Sequence, residues 1–258
     1  MATIITVSNQ KGGVGKTTTS GALATGLAAE GKKILGIDLD PQGNLGFCLG
    51  LEATNGPTVL DALKGKLPVR EAIRHTEYCD ILSSDITLSN GLNVERSGPR
   101  ECILRTTIEP VINDYDYIII DTPPALNLLT VNAYAVSDYL VIPMASDILS
   151  LVGLSQLKET IDGIRASLNP GLKVLGILLT RFNARTLLSR DVLEMAQQLA
   201  GQIDTVVFDA KIRTGVAIAE APAHGESIFD YNPRSSAVQD YQEFVQEVIG
   251  RINSAKEA

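Results

Sequence analysis

The sequence has little of what builds metal centres and covalent cross-links. Its 258 residues include three cysteines, Cys48, Cys79 and Cys102, and no CxxC pair. An odd, scattered set supports neither a disulfide framework nor a zinc ribbon nor an iron–sulfur cluster, so reduced thiols are expected. His75 and His224 are the two histidines, too few and too far apart to suggest a metal site. Excess positive charge is also missing: 22 Lys and Arg stand against 30 Asp and Glu, a net charge of −8. A chain that held nucleic acid with its whole surface would be basic, so any such contact has to come from a local patch. Long apolar runs are absent too. The longest, such as residues 174–179, are strand-length, far short of the roughly 20 residues of a membrane helix. The first residues run straight into an apolar stretch without the basic and apolar regions of a signal peptide. No membrane association and a cytoplasmic location are therefore expected.

Hydrophobic residues make up 45% of the chain and charged residues 20%, enough for a sizeable core. Short β-like runs alternate with longer amphipathic stretches. Strands are expected near 3–8, 33–37, 79–82, 116–120, 139–143, 173–179 and 204–208. Helices are expected near 16–30, 58–64, 100–113, 127–135, 150–168, 187–200, 214–220 and 235–253. Runs such as Ile118-Ile119-Ile120 are apolar on consecutive residues, as in strands buried on both faces. The alternation predicts a single-domain α/β fold, a mostly parallel sheet with helices on both faces. That domain would span 1–253, followed by a frayed tail at 254–258.

The rest of the chain is organised around residues 10–18, Gln10-Lys11-Gly12-Gly13-Val14-Gly15-Lys16-Thr17-Thr18. The apolar run Ile4-Ile5-Thr6-Val7 precedes it and a helix-like run follows it. Strand, glycine-rich turn, helix is the context of a phosphate-binding loop. Its glycines let backbone N–H groups turn toward phosphate oxygens, and the helix start adds its positive end. In the pattern G-x-x-x-x-G-K-[ST], Lys16 reaches the β- and γ-phosphates and the Thr17 hydroxyl binds Mg²⁺. Gly15, Lys16 and Thr17 fit; Gln10 occupies the first glycine position, and an additional Lys11 precedes Gly12-Gly13.

Two further segments place carboxylates after buried strands. In residues 34–47 an apolar strand delivers Asp38 and Asp40 at its C-terminal end, where ligands sit in open α/β sheets. Asp40-Pro41-Gln42-Gly43 also reads as ordinary turn chemistry. In residues 115–124 the run Ile118-Ile119-Ile120 ends in Asp121, the arrangement that binds Mg²⁺ through a water. Pro123 and Pro124 then stiffen the backbone.

K-G-G-x-G-K-T-T resembles the deviant phosphate loop of the ParA/MinD superfamily of ATPases, in the short, Soj-like ParA form that has no N-terminal helix-turn-helix. D-x-D-P-Q-G-N at 38–44, D-x-P-P at 121–124 and E-A-P-x-x-G at 220–225 strengthen the resemblance. It runs from residue 3 to about 250 and is thin over 50–110. It implies a P-loop NTPase-like fold, binding of ATP and Mg²⁺ on residues 11–18, and an ATP sandwich dimer in which Lys11 reaches the partner's nucleotide. It also implies that Asp40 positions the attacking water and Asp38 supports the Mg²⁺ shell. The helix after Asp147 would help form the dimer face, although an ordinary crossover helix fits its pattern equally.

In ParA-type proteins, arginines in two regions hold DNA phosphates without reading sequence. Here Arg185 matches, with Arg190 nearby. Downstream, the family's two arginines are replaced by Thr214 and Ala217, and Arg213 stands one place earlier. A scattered, solvated set of arginines is the alternative. The resemblance implies a bacterial partition ATPase that segregates a plasmid or chromosome on the nucleoid, is slow alone, and is stimulated by a ParB-type centromere-binding adaptor. Two rivals share the loop. A MinD-like positioning ATPase would act on a protein or membrane platform, but residues 235–258 lack a basic amphipathic helix. A small-molecule P-loop enzyme would not need Lys11.

Overall fold

The computed structural model describes residues 1–51, 56–90 and 98–257. Seven strands form one sheet: β1 (Thr3–Val7), β2 (Ile34–Asp38), β3 (Arg74–His75), β4 (Asp80–Leu82), β5 (Tyr117–Asp121), β6 (Tyr139–Ala145) and β7 (Lys173–Thr180). Their order is β3-β4-β2-β5-β1-β6-β7, and every neighbouring pair is parallel except β3 with β4. Every residue of β1, β2 and β5 is buried, which is why these strands read as unbroken apolar runs. Successive side chains point to opposite faces. Ile4, Ile37, Ile118 and Ile120 enter one core, and Ile5, Val7 and Ile119 enter the other.

Helices close both faces, and six of them frame the cores and the site. They are α1 (Lys16–Ala29), α2 (Asn44–Cys48), α3 (Leu128–Val136), α4 (Ile148–Ser167), α5 (Leu187–Gln202) and α6 (Ser236–Glu257). Tyr134 of α3, Leu157 and Ile161 of α4 and Val192 of α5 fill the first core. Leu23 and Leu27 of α1 and Phe244 and Val248 of α6 fill the second. Helices α1 and α6 approach closely because Gly26 has no side chain: a Cβ there would lie 2.8 Å from Val245 Cγ2.

The expected single-domain, mostly parallel α/β sheet is what forms, and three of the expected segments differ. The helix expected over 100–113 is a 3₁₀ turn (Arg100–Cys102), a helix (Ile103–Ile108) and a second 3₁₀ turn (Ile112–Asp114); Pro110, which has no N–H to continue it, ends the helix. The strand expected at 204–208 makes one isolated bridge to β7, Ile177 with Val207, and a second, Thr180 with Ile212, follows beyond it. Between them the Asp209 and Ala210 N–H groups turn to Glu247 of α6 instead of the ladder. The tail expected to fray after 253 is helical through Glu257, with Ile252 buried and Lys256 Nζ donating to Thr3 Oγ1 at 3.1 Å. Among the described residues no helix is long and apolar enough to cross a membrane.

Candidate functional site

Residues 8–15 turn between β1 and α1. Gly13 (φ 72°) and Gly15 (φ 88°) sit in the left-handed region, which side chains disfavour. Asn9 braces the turn, its Nδ2 donating to Pro143 O at 2.8 Å and its Oδ1 accepting from Lys11 N at 3.0 Å. Thr180 Oγ1 donates to Val14 O at 3.0 Å and ties the end of β7 to the loop. Helix α1 starts from Gly15 with no side-chain cap and no acid in its first turn. Its first N–H groups therefore remain open to an anion. Lys16 is 6% exposed and its Nζ donates to Lys11 O at 3.1 Å. Burial lowers its pKa, opposed by the charges of Asp121 and Asp40.

The two strand-end carboxylates face the same place. Asp38 and Asp121 are register partners on β2 and β5, and neither is exposed. Asp38 accepts from Asp40 N at 2.9 Å and Leu45 N at 3.0 Å. Asp121 accepts from Thr17 Oγ1 at 2.7 Å and Ser20 Oγ at 2.9 Å. Burial, then the neighbouring Asp121 charge, pushes Asp38 well above the usual carboxylate range. Burial pushes Asp121 up to about 6 in spite of the two hydroxyls and Lys16. Two buried carboxylates forced toward neutrality side by side are the donor set that a divalent cation relieves. Among the described residues no group of three or more His, Cys, Asp or Glu is placed to hold a metal ion by itself. A cation here would thus be shared between Thr17, water and phosphate oxygens, which suits Mg²⁺. Asp40 is half-buried, and one of its carboxylate oxygens accepts from Gln42 N at 3.0 Å.

Lys11 folds back onto its own chain. Its Nζ donates to both Asp147 oxygens, at 2.6 and 2.7 Å, and to Ser150 Oγ at 3.1 Å. Asp147 is also the N-cap of α4, accepting from Ser150 N. Burial pushes its pKa up, but the hydrogen bonds from Lys11 and Ser150 outweigh this and leave it below the usual range. Sequence reasoning missed Asp147 as a partner. An N-cap signal before a long helix was there, but nothing local ties it to a lysine 136 residues earlier.

Beside the loop, a cavity of about 270 Å³ is lined by Gly15 and Thr18 on one side and by Thr180, Arg181, Ile212 and Thr214 on the other. A second cavity, about 790 Å³, lies between Lys33, Arg70 and Tyr115 and shares no residue with the phosphate loop. The expected arginine patch divides. Arg185 and Arg190 are exposed just before and within α5, with Arg190 Nε donating to Ala184 O. Arg213 leaves the same sheet edge, where Ile212 bridges to Thr180, but Asp240 of α6 holds its guanidinium. The sequence pattern groups the three arginines; the ion pair offsets the charge of one.

A family model described as an AAA domain matches residues 2–174. The chromosome partitioning protein ParA of Myxococcus xanthus (strain DK1622) is 40% identical over 253 residues, 96% of this chain and 88% of that protein. The sporulation initiation inhibitor protein Soj of Bacillus subtilis (strain 168) is 40% identical over 252 residues, 96% of this chain and 98% of that protein. The fold is also similar to a crystal structure described as cobyrinic acid a,c-diamide synthase from Mycobacterium smegmatis with bound ADP and magnesium. The TM-score is 0.84 at 30% identity, covering 99% of this chain and 97% of that one.

Proposed function

We propose, for a chain that belongs to the ParA family of partition ATPases, an ATP-driven switch between a free monomer and a DNA-bound dimer on the bacterial nucleoid. One observation carries this reading: Lys16, Thr17, Asp38, Asp40 and Asp121 converge around an uncapped helix start at the C-terminal ends of β1, β2 and β5. The N–H groups of residues 12–18 would cradle the phosphates of ATP. Lys16 would neutralise charge at the β- and γ-phosphates. Thr17, backed by Asp121 and Asp38, would hold Mg²⁺, which supplies charge neutralisation to the transferring phosphoryl group. Asp40 would orient the attacking water, using the oxygen that Gln42 does not occupy. Lys11 would leave Asp147 and reach the nucleotide of a second copy.

No arginine stands in residues 9–18, 37–46 or 117–124. Hydrolysis is accordingly slow until an adaptor of the ParB type contacts the dimer. Arg185 and Arg190 of two subunits would together give a multivalent phosphate contact on an otherwise acidic protein. The test is DNA binding and solution mass with ADP, ATP and a slowly hydrolysed ATP analogue, for wild type, Lys11→Ala and Arg185→Ala/Arg190→Ala. The expected result is ATP-dependent dimerisation and binding lost in Lys11→Ala. The arginine variant should dimerise but show a salt slope shallower by about one per lost phosphate contact. DNA binding that ignores the nucleotide would sink the switch.

The structural likeness to a protein described as a diamide synthase supports a second reading, an enzyme that uses ATP on a small carboxylic acid. On that reading ATP turnover rises with a metabolite, and DNA and Lys11→Ala have no effect.

A further inference from the structure

Asp240 lies on α6 directly before Tyr241, whose hydroxyl meets Thr19 Oγ1 of α1 at 3.3 Å. The Asp240 side chain is 8% exposed, and Arg213 engages its carboxylate with both backbone and guanidinium. Arg213 N donates to Oδ2 at 2.9 Å, Nε to both oxygens at 3.1 and 2.8 Å, and Nη2 to Oδ1 at 2.5 Å. The same Nη2 donates to Ser236 O at 3.0 Å. A forked guanidinium plus a backbone N–H on one nearly buried carboxylate is far more constraining than a surface ion pair.

What this clamp holds is one wall of the cavity beside the phosphate loop. Ile212 is the last residue of that segment tied to the sheet, donating to Leu179 O at 2.8 Å and accepting from Phe182 N at 2.9 Å. Beyond it the chain leaves β7 and docks on α6 at two points. One is the Arg213–Asp240 pair. The other is Gly215, where an added Cβ would lie 2.6 Å from Ala237 Cβ. Residues 212–215, with Ile218 and Ala219, face Gly15 and Thr18 across about 270 Å³.

We propose that Arg213 and Asp240 are positioning residues for the base of the bound nucleotide: the pair pins the 212–219 wall to α6 and sets the width of the cleft that receives the heterocycle. This role rests on ATP being the ligand of the phosphate loop. The loop itself is held to the end of β7 by Thr180 Oγ1 on Val14 O, a tie that uses neither Arg213 nor Asp240, so loosening the pair bears on the base more than on the phosphates. The pair also gives Arg213 a task other than the DNA contact its place in the sequence suggests.

The experiment is titration of the full chain with ADP and with inorganic tripolyphosphate, which has phosphates and no base. Wild type, Asp240→Asn and Arg213→Lys are compared, with thermal melts of each and ATPase kinetics. Asp240→Asn keeps the shape and removes the charge; Arg213→Lys keeps the charge and the backbone N–H but loses the fork. The expected result is ADP binding weakened roughly tenfold in Asp240→Asn and about threefold in Arg213→Lys, with tripolyphosphate binding within about twofold of wild type. KM for ATP rises while kcat holds. Equal losses for ADP and tripolyphosphate, or unchanged ADP affinity in the folded variants, would overturn the clamp alone. A wild type that binds neither probe would overturn the ATP reading, and the clamp with it.

Discussion

Lys11 and Asp147 form an ion pair within one chain, 2.6 Å from Nζ to Oδ1, with the side chains 30% and 40% exposed. The lysine whose surrounding motif implies a reach toward a second subunit is thus held at home by the first residue capping α4. Such a half-exposed pair is worth about 0.2–1 kcal/mol, enough to bias a switch and too little to lock it.

The first prediction concerns that bias. Asp147→Ser keeps a side-chain oxygen for the Ser150 N–H, so it avoids the cap loss of about 1 kcal/mol that alanine would cause. It removes the charge that holds Lys11. ATP-dependent dimerisation, followed by sedimentation, should then occur at about two- to fivefold lower protein concentration. An unchanged or weakened dimer would mean that the pair is no brake.

A second prediction follows from the buried carboxylates. Asp121 has its folded pKa raised from 3.8 to about 6. Between those values the folded state holds the proton that the unfolded chain releases, so this group's contribution to stability falls as pH rises, by up to about 1.4 kcal/mol per unit. Asp121→Asn cannot ionise. Relative to wild type, nucleotide-free Asp121→Asn should gain stability from about pH 4 to about pH 6 and level off above. Urea melts of the two proteins across that range check it; a constant difference would contradict the assignment. In Asp38 burial and the Asp121 charge act in the same upward direction, so the pair reinforces the trend.

The third prediction concerns the turn between Asp40 and α2. Gly43 has φ 67°, and an added Cβ would lie 2.7 Å from Ser84 O, a backbone atom that cannot swing away. Gly43→Ala should therefore cost more than the roughly 1–2 kcal/mol of a left-handed non-glycine residue. The same change should lower ATP turnover, because the turn carries Asp40. Denaturant melts and steady-state hydrolysis measure the two effects. A loss below about 0.5 kcal/mol would show that the turn relaxes freely.

Sequence alone determined the strand, glycine turn and helix of residues 3–29, the two strand-end carboxylates and the layered α/β architecture. Those features are local: glycines at positive φ, apolar runs on consecutive residues, and an acid where a strand stops. Pro110 is equally legible as a breaker inside the helical pattern of residues 100–113. Only the tertiary structure decided the pairings. Lys11 finds Asp147 across 136 residues and Arg213 finds Asp240 across 27, each choosing one partner among 30 acids. The choice follows from packing that sets the start of α4 beside the phosphate loop and α6 beside residues 212–215. It also explains why the pairing that Val206 and Phe208 begin with Ile177 does not run on as a strand: Glu247 of α6 takes the next N–H groups, those of Asp209 and Ala210. Local pattern sets which backbone each segment can adopt; long-range packing sets which charged side chain stands opposite which.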